Sequence, residues 1–350
     1  MLIARAPVRI SFFGGGTDLS AYYLRHGGAV LSTSIDKYVY VILNVRDDDT
    51  LQITSSDYRT FYRLPRGEQL LWEGDLSLPR AVLHHFGVAG GVSIFLASEV
   101  PPGTGLGSSS SVTVALCKAV STASGQTLGK AELAALACRI EIDKLGRPIG
   151  VQDQYASAFG GLNWISFSAD GIQARPVELP ESTLTRLERG LLLMFTGSSH
   201  DSANILSHQR QSSANNETRV IDSLQATQAL AHEALGVLQR GELERFGGLL
   251  DTAWQLKRNF APGVTNAAID EAYRIARNNG ALGGKITGAG GGGFLMLYCE
   301  EEALPRVEMA LTRQGLKRMD FRFDSDGARV LFNAGLRLQR GMAEPGSGGK

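Results

Sequence analysis

A run of serines directly after a glycine-rich stretch is the feature of this chain that most clearly indicates chemistry. Residues 101–107 read PPGTGLG, and Ser108 to Ser111 then open a segment with helical spacing of apolar residues. Glycine lets a backbone bend close to a ligand, and a helix start presents unpaired N–H groups and the positive end of the helix dipole. These features predict a phosphate site. It is not a Walker A loop, because no lysine follows. A serine-rich helix cap is the alternative, although it explains one or two serines better than four.

A second glycine cluster occupies residues 288–293 and contains the pattern Gly-x-Gly-x-x-Gly. A dinucleotide fingerprint follows a strand and opens a helix, whereas here a helical segment precedes the cluster and the apolar run 294–298 follows it. We therefore reject dinucleotide binding. The cluster either packs against a neighbouring element or forms part of the wall of the phosphate site.

Charged residues near other glycines are candidates for catalysis and ligand binding. Arg9 lies on a predicted first strand, and Asp18 follows a triple-glycine turn, where it either caps the turn or accepts hydrogen bonds from a hydroxylated ligand. Glu141 lies on a predicted helix, 130–145, and Asp153 follows a Gly-Arg-Pro-Ile-Gly loop. A carboxylate just after this loop is suited to binding Mg²⁺ or acting as a base. From position alone, a solvated helix face for Glu141 and a helix cap for Asp153 are the favoured explanations.

The elements that must position these residues indicate an α+β fold. We predict strands near 39–43, 91–96 and 161–167, and helices over 109–124 and 130–145. Beyond a boundary near residue 190 the chain turns mainly helical. We predict helices over 216–240, 242–259, 266–279 and 305–314, and strands over 190–195 and 327–333. This order favours two lobes, 1–190 and 191–338, followed by a flexible tail at 339–350.

Composition limits the class of protein. The chain has 350 residues, 43% of them hydrophobic, and 35 basic residues balance 35 acidic ones, so neither disorder nor nucleic acid binding is expected. Cys117, Cys138 and Cys299 lack metal-type spacing and indicate reduced thiols. No apolar run reaches the ~18 residues of a membrane span, and arginines interrupt the N-terminal apolar stretch. We expect a cytoplasmic protein without membrane association.

Three blocks of sequence, at 7–18, 101–110 and 285–293, together resemble the motifs of the GHMP kinase superfamily in order and spacing. The resemblance covers about residues 1–295 and implies a two-lobed α+β kinase whose first lobe resembles the ribosomal protein S5 domain 2-like fold. Within the superfamily, residues 13–19 and 151–155 look most like kinases that use ATP to phosphorylate the anomeric hydroxyl of D-glycero-D-manno-heptose 7-phosphate. Gly15 and Gly16 stand where galactokinases carry Glu-His, which makes galactose a less suitable substrate.

The resemblance also implies a role for particular residues. Asp153 would be the catalytic carboxylate with Arg9 beside it, and Ser109 and Glu141 would hold Mg²⁺. ATP would contact Gly103, Gly105, Leu106, Gly107, Ser108, Ser109 and Ser110. The sugar would contact Gly16, Thr17, Asp18, Gly290 and Gly291.

Two alternatives remain open from the sequence. One is another sugar 1-kinase, acting on fucose, galactose or a hexuronic acid, and the other is a non-catalytic sensor of sugar or nucleotide. A phosphorylated acceptor requires a cationic pocket apart from the ATP loop, for which Arg25, Lys37 and Arg147 are the candidates. Apolar helix faces in the second half are compatible with a homodimer.

Overall fold

The computed structural model describes residues 1–57, 59–74, 76–197, 202–215, 217–258 and 260–338, so the predicted tail at 339–350 lies outside the described residues. In chain order the strands are β1 (Leu2–Phe13), β2 (Gly28–Val45), β3 (Leu51–Ser55), β4 (Thr60–Leu64), β5 (Val92–Ser98), β6 (Leu162–Ser168), β7 (Gly171–Pro176), β8 (Leu191–Phe195), β9 (Ala281–Ile286), β10 (Phe294–Cys299), β11 (Lys317–Arg318) and β12 (Arg329–Asn333). The helices are α1 (Ser20–His26), α2 (Ser77–His85), α3 (Ser108–Ala123), α4 (Lys130–Cys138), α5 (Gln152–Phe159), α6 (Glu181–Gly190), α7 (Ser202–Ala214), α8 (Thr218–Gln239), α9 (Leu243–Lys257), α10 (Ala267–Asn278) and α11 (Leu304–Thr312).

Among the described residues the strands form two sheets. The larger sheet has the order β12-β1-β2-β5-β3-β4, and β6 and β7 extend it from β2. The long strand β2 joins both parts, because its first half pairs with β6 and its second half pairs with β5. The smaller sheet has the order β11-β8-β10-β9, and every pair in it is antiparallel.

The apolar spacing of the strands explains how the layers pack. In β10 every residue is buried, and alternate side chains enter opposite cores. Met296 and Tyr298 pack with α8 and α9, whereas Leu295 and Leu297 pack with α10 and α11. The smaller sheet is therefore covered on both faces.

The core does not divide at residue 190. One cluster of buried residues contains Ile10 and Phe12 of β1 together with Leu193 and Phe246 of the second half, and the Phe12 and Phe246 rings meet edge to face at 5.6 Å. Strand β12 also returns to the first sheet beside β1. The two halves thus share a core and a sheet, and the division into lobes 1–190 and 191–338 stays a prediction.

The predicted elements are present, with one local difference. Helix α4 ends at Cys138, and the chain continues as a π-helical segment, Arg139–Lys144, instead of the single α-helix expected over 130–145. Among the described residues, no helix combines the length and the apolarity needed to cross a bilayer.

Candidate active site

A cavity of about 470 Å³ lies where the three glycine-rich blocks meet. Its wall is formed by β1 and the turn after it, the loop before α3, the starts of α3 and α5, and parts of α9 and β9. This volume is typical of a site for a small molecule. The cavity also brings together most of the charged residues that the sequence indicated.

The glycine–serine loop forms one wall of this cavity. Helix α3 begins at Ser108, and its N-cap, Gly107, has a left-handed backbone (φ 77°) and no side-chain cap within the described residues. The first N–H groups of α3 are thus available to an anion. The residues of this block that line the cavity are Gly103, Gly105, Gly107, Ser108, Ser109 and Ser110. Leu106 instead buries its side chain in the core, and its carbonyl accepts a hydrogen bond from the Arg9 N–H at 2.9 Å.

Arg9 and Asp153 form an ion pair at the centre of the site. Arg9 Nε and Nη2 both lie 2.7 Å from Asp153 Oδ1, and Arg9 Nη1 donates to the Gly105 carbonyl at 2.6 Å. Asp153 is in the first turn of α5, and its Oδ2 lies 3.1 Å from the position that a Cβ on Gly107 would occupy. The arginine therefore connects the carboxylate to the glycine–serine loop.

Asp18 is buried in the turn after β1 and faces the same cavity. Its Oδ1 accepts a hydrogen bond from the Gly16 N–H at 2.9 Å, and its Oδ2 accepts one from the Gln152 N–H at 3.3 Å. A Cβ on Gly150 would lie 1.8 Å from Asp18 Oδ2, so only glycine permits this approach. Burial raises the pKa of Asp18, and the negative charge of Asp153 raises it further.

Thr17 has a different position from the one expected of a residue that contacts substrate. It is fully buried, and its Oγ1 donates to the Gly14 carbonyl at 2.7 Å and accepts from the Ala29 N–H at 3.1 Å. Its hydroxyl stabilises the turn that presents Asp18, whereas Gly16 and Asp18 themselves line the cavity.

Glu141 is fully buried, so the expected solvated helix face is wrong for this residue. It lies in the π-helical segment, a rare conformation that is frequent at functional sites. Ser110 Oγ donates to Glu141 Oε2 at 3.1 Å, while Ser109 Oγ accepts a hydrogen bond from Arg147 Nη1 at 2.6 Å. Burial raises the pKa of Glu141 to about 7, and the positive charge of Arg147 acts in the opposite direction.

The donor set around Glu141 suits Mg²⁺. Glu141 Oε1 is buried without a hydrogen-bond partner in the described part of the chain, and the Ser109 hydroxyl also lines the cavity. Hydroxyl and carboxylate oxygens are the ligands that Mg²⁺ prefers, and it commonly keeps waters and substrate phosphates as its other ligands. The described residues contain no cluster of three or more His, Cys, Asp or Glu suited to a metal. These residues therefore fit an ion that also binds waters and substrate phosphates better than an ion enclosed by protein ligands alone.

The third glycine block packs against the second. A Cβ on Gly288 would lie 2.5 Å from Gly105 Cα, and Thr287 Oγ1 donates to the Thr104 carbonyl at 2.9 Å. Of residues 288–291, Gly288 and Ala289 line the cavity, and Gly290 and Gly291 do not. The Gly291 N–H instead donates to the Val264 carbonyl at 2.8 Å, and a Cβ on Gly290 would lie 2.7 Å from the same oxygen. Packing thus accounts for these two glycines.

Two lysines in the wall of the cavity were missed from the sequence. Lys257 is at the end of α9 and Lys285 is on β9, and they are 9% and 6% exposed. The signal for Lys257 was its place on the apolar face of a predicted helix, in register with Leu250, Ala253 and Trp254. The signal for Lys285 was a charge within a short, otherwise apolar strand. Of the basic candidates named from the sequence, Arg147 lines the cavity, and Arg25 and Lys37 are not among its described lining residues.

Uncharged polar atoms also face the cavity without partners. Ser11 Oγ, Gln152 Oε1 and Gln209 Nε2 are buried, line the cavity and have no hydrogen-bond partner in the described residues. Buried polar groups are nearly always paired, so these atoms are suited to a ligand rich in hydroxyl groups.

A smaller cavity of about 250 Å³ adjoins the first. Ser109 and Arg147 line both cavities, and residues near β3, β4 and α2 complete the smaller one, among them Leu78, Pro79 and Leu96. A ligand with an apolar ring and a charged chain can thus occupy both, with its charged chain at the start of α3.

Comparison with known proteins agrees with this geometry. The family model described as "GHMP kinases N terminal domain" matches residues 77–161, and the model "GHMP kinases C terminal" matches residues 231–317. The first match contains the glycine–serine loop, Glu141 and Asp153. The second contains Lys257, Lys285 and the third glycine block.

Several relatives match along almost their full length. The chain is 28% identical to a D-glycero-alpha-D-manno-heptose 7-phosphate kinase of Campylobacter jejuni, over 93% of this chain and 97% of the relative. A crystal structure of a D-glycero-D-manno-heptose 1-phosphate kinase from Bacteroides thetaiotaomicron is similar with a TM-score of 0.80, at 26% identity and over 95% and 99% of the two chains. A putative sugar kinase from Campylobacter jejuni has a TM-score of 0.77, at 27% identity and over 94% and 97% of the chains. With both domain models matched and the expected α+β fold confirmed, this chain belongs to the GHMP kinases.

Proposed function

We propose that the protein is an ATP-dependent kinase that phosphorylates the anomeric hydroxyl of D-glycero-D-manno-heptose 7-phosphate and yields the 1,7-bisphosphate. The product would feed the synthesis of nucleotide-activated heptose for surface polysaccharide. Two relatives that match most of the chain are named as kinases of a heptose phosphate, which supports this acceptor.

The observation that carries the proposal is the ion pair between Arg9 and Asp153 next to the glycine–serine loop. The pair lines the same cavity as the N-terminus of α3, where phosphates would bind, and Asp18, where a sugar would bind. Phosphoryl transfer depends mainly on positioning the two substrates and on neutralising charge, and this arrangement provides both.

The reaction follows from these positions. The anomeric oxygen attacks the γ-phosphorus of ATP while its proton passes to a carboxylate oxygen of Asp153. The bond from the γ-phosphorus to the β–γ bridging oxygen breaks, and ADP leaves with that electron pair. Arg9 orients Asp153 and stabilises charge on the transferring group. An anomeric hydroxyl is more acidic than an ordinary alcohol, so a carboxylate suffices as base.

The nucleotide would occupy both cavities. Its base would enter the smaller cavity beside Leu78 and Leu96, and its phosphates would accept hydrogen bonds from the first N–H groups of α3 and from Arg147. Ser109 and Glu141 would hold a Mg²⁺ ion, which neutralises charge on the phosphates when bound.

The sugar would lie on the other side of Asp153. Asp18 accepts hydrogen bonds from hydroxyl groups there, and the unpartnered atoms of Ser11, Gln152 and Gln209 provide further polar contacts. Because desolvated polar groups favour a partner that satisfies all of them, a polyhydroxylated acceptor is favoured over an apolar one.

The test is a coupled assay of ATP consumption with D-glycero-D-manno-heptose 7-phosphate, L-fucose, D-galactose and a hexuronic acid, with the product located by phosphorus NMR. We expect turnover with the heptose phosphate and a new anomeric phosphate signal. Faster turnover of an unphosphorylated sugar than of the heptose phosphate would mean that the unphosphorylated sugar is the acceptor. No ATP consumption with any sugar, together with saturable nucleotide binding, would support a sensor instead.

The base assignment has its own test. Asp153→Asn is expected to lower kcat about 10²- to 10⁴-fold, the range for loss of a general base. Asp143→Asn is the control, because Asp143 is an exposed carboxylate in the π-helical segment before the same loop. Near-normal turnover of Asp153→Asn with an unshifted pH profile would contradict the role of Asp153.

The three cysteines are buried and free, which supports a reducing, cytoplasmic location for the protein. Small molecules are the partners that the site supports. A homodimer stays a prediction.

A further inference from the structure

Two lysines of the second half, Lys257 and Lys285, present positive charge to the cavity. The proposed reaction does not use this charge. Lys257 Nζ donates to the carbonyls of Ile286 at 2.7 Å and Gly288 at 2.6 Å, which uses two of its three N–H groups. The ammonium of Lys285 makes no hydrogen bond within the described residues. Both residues are more than nine-tenths buried and line the cavity.

Neither lysine has a counter-charge among the described residues. In the described part of the chain no carboxylate forms an ion pair with either of them, and the nearby charge that acts on Lys285 is the positive charge of Arg9. Burial lowers the pKa of Lys285 to about 7, and the charge of Arg9 lowers it further. Burial also lowers the pKa of Lys257, and the charges of Lys285 and Arg9 add to this effect. An uncompensated buried charge is costly, so the missing negative charge is expected to come from a ligand.

The lysines do not border the smaller cavity, which is the proposed position of the nucleotide base. Ser109 and Arg147 border both cavities, whereas Lys257 and Lys285 border the larger one alone. The hydrogen-bond partners of Lys257 belong to the second half of the chain. The N–H of Phe260 donates to the Lys257 carbonyl at 3.0 Å, and the Phe260 ring and Gln209 Nε2 both lie close to Gly16 on the sugar side.

We propose that Lys257 and Lys285 bind the phosphate that the acceptor sugar already carries, and that they make the site specific for sugar phosphates over unphosphorylated sugars. This inference rests on the proposed function and names the residues that recognise the remote end of its acceptor. A phosphate dianion provides the charge that both lysines lack, and it can accept the remaining N–H of Lys257 together with those of Lys285.

The test compares Lys285→Met and Lys257→Met with the control Lys317→Met, in the full chain. Methionine keeps the length and volume of the side chain without the charge, and Lys317 is an exposed residue on β11, away from the cavity. The measurement is the ratio of kcat/KM for heptose 7-phosphate to kcat/KM for the unphosphorylated heptose, at saturating ATP. We expect the ratio to fall about 10- to 100-fold in each cavity variant, the effect of losing one hydrogen bond to a charged group. The control keeps the wild-type ratio.

Two outcomes would overturn the inference. Equal losses of kcat/KM for both sugars would mean that the lysines act on the transferring phosphoryl group. A rise in KM for ATP as large as the rise for the sugar phosphate would assign them to the nucleotide.

A binding measurement separates this inference from the proposed function. Calorimetric titration of inorganic phosphate into the protein saturated with ADP should show a site in the wild type that Lys285→Met loses, while thermal unfolding checks that the variant is folded. If the wild type phosphorylates no sugar phosphate, the proposed function fails, yet loss of the phosphate site would still support the lysine site. Unchanged phosphate binding in Lys285→Met would refute it.

Discussion

Replacing Gly105 by alanine tests whether the contact between the second and third glycine blocks shapes the active site. Gly105 has a left-handed backbone (φ 77°), and a Cβ there would lie 2.5 Å from the Thr287 carbonyl oxygen and 2.6 Å from its carbon. Both of these are backbone atoms, which a rotamer change cannot move. The two blocks must therefore separate in Gly105→Ala.

The expected loss of stability has two parts. A left-handed conformation costs an L-residue about 1–2 kcal/mol relative to glycine. Forcing a methyl group into a closely packed contact adds about 1–3 kcal/mol. Gly315→Ala is the matched control, because Gly315 also has a positive φ (86°), but no described atom lies within 4 Å of the position that its Cβ would occupy. Gly105→Ala should therefore lose about 1–3 kcal/mol more than Gly315→Ala.

The separation should also affect nucleotide binding. The Gly105 carbonyl accepts a hydrogen bond from Arg9 Nη1, so displacing this loop disturbs both the phosphate site and the orientation of Asp153. Urea denaturation would measure the free energy of unfolding, and steady-state kinetics would measure KM for ATP. We expect KM for ATP to rise about tenfold or more in Gly105→Ala, the effect of a misplaced charged hydrogen bond. Equal losses of stability in the two variants, with KM unchanged, would refute the reasoning.

Further predictions concern metal, pH and thiols. Glu141→Gln should raise the Mg²⁺ concentration for half-maximal activity about tenfold or more, measured by titration, and an unchanged value would remove Glu141 from the metal site. Without ligand, the free energy of unfolding should decrease as pH falls from 10.5 towards 7, because the unfolded chain protonates Lys285 at its ordinary pKa of 10.5 and the folded chain only at about 7. Lys285→Met should weaken that dependence in denaturation curves, and an identical dependence would contradict the lowered pKa. A thiol reagent should label the cysteines only after unfolding, since burial raises the pKa of each, and rapid labelling of the native protein would contradict their burial.

The sequence was sufficient for the types of the elements that it predicted and for the approximate place of the site. Apolar spacing in short windows predicts strands and helices because the periods 2 and 3.6 are local properties of the backbone. The glycines and serines at 101–110 indicate a phosphate-binding helix start for the same local reason. The π-helical segment was not predictable, because the apolar spacing of these residues predicts a single α-helix through it.

Contacts between distant parts of the chain were decided by the tertiary structure. Arg9 and Asp153 are 144 residues apart, and the register of the first sheet and the packing of α5 bring them together. Sequence alone left two explanations for the third glycine block, and only the close packing of Gly288 on Gly105 gave it a position. The tertiary structure also decided which charged groups lie near one another. The sequence places Lys257 and Lys285 among apolar residues, and their lack of a counter-charge in the described part of the chain depends on which carboxylates the folded chain brings near them.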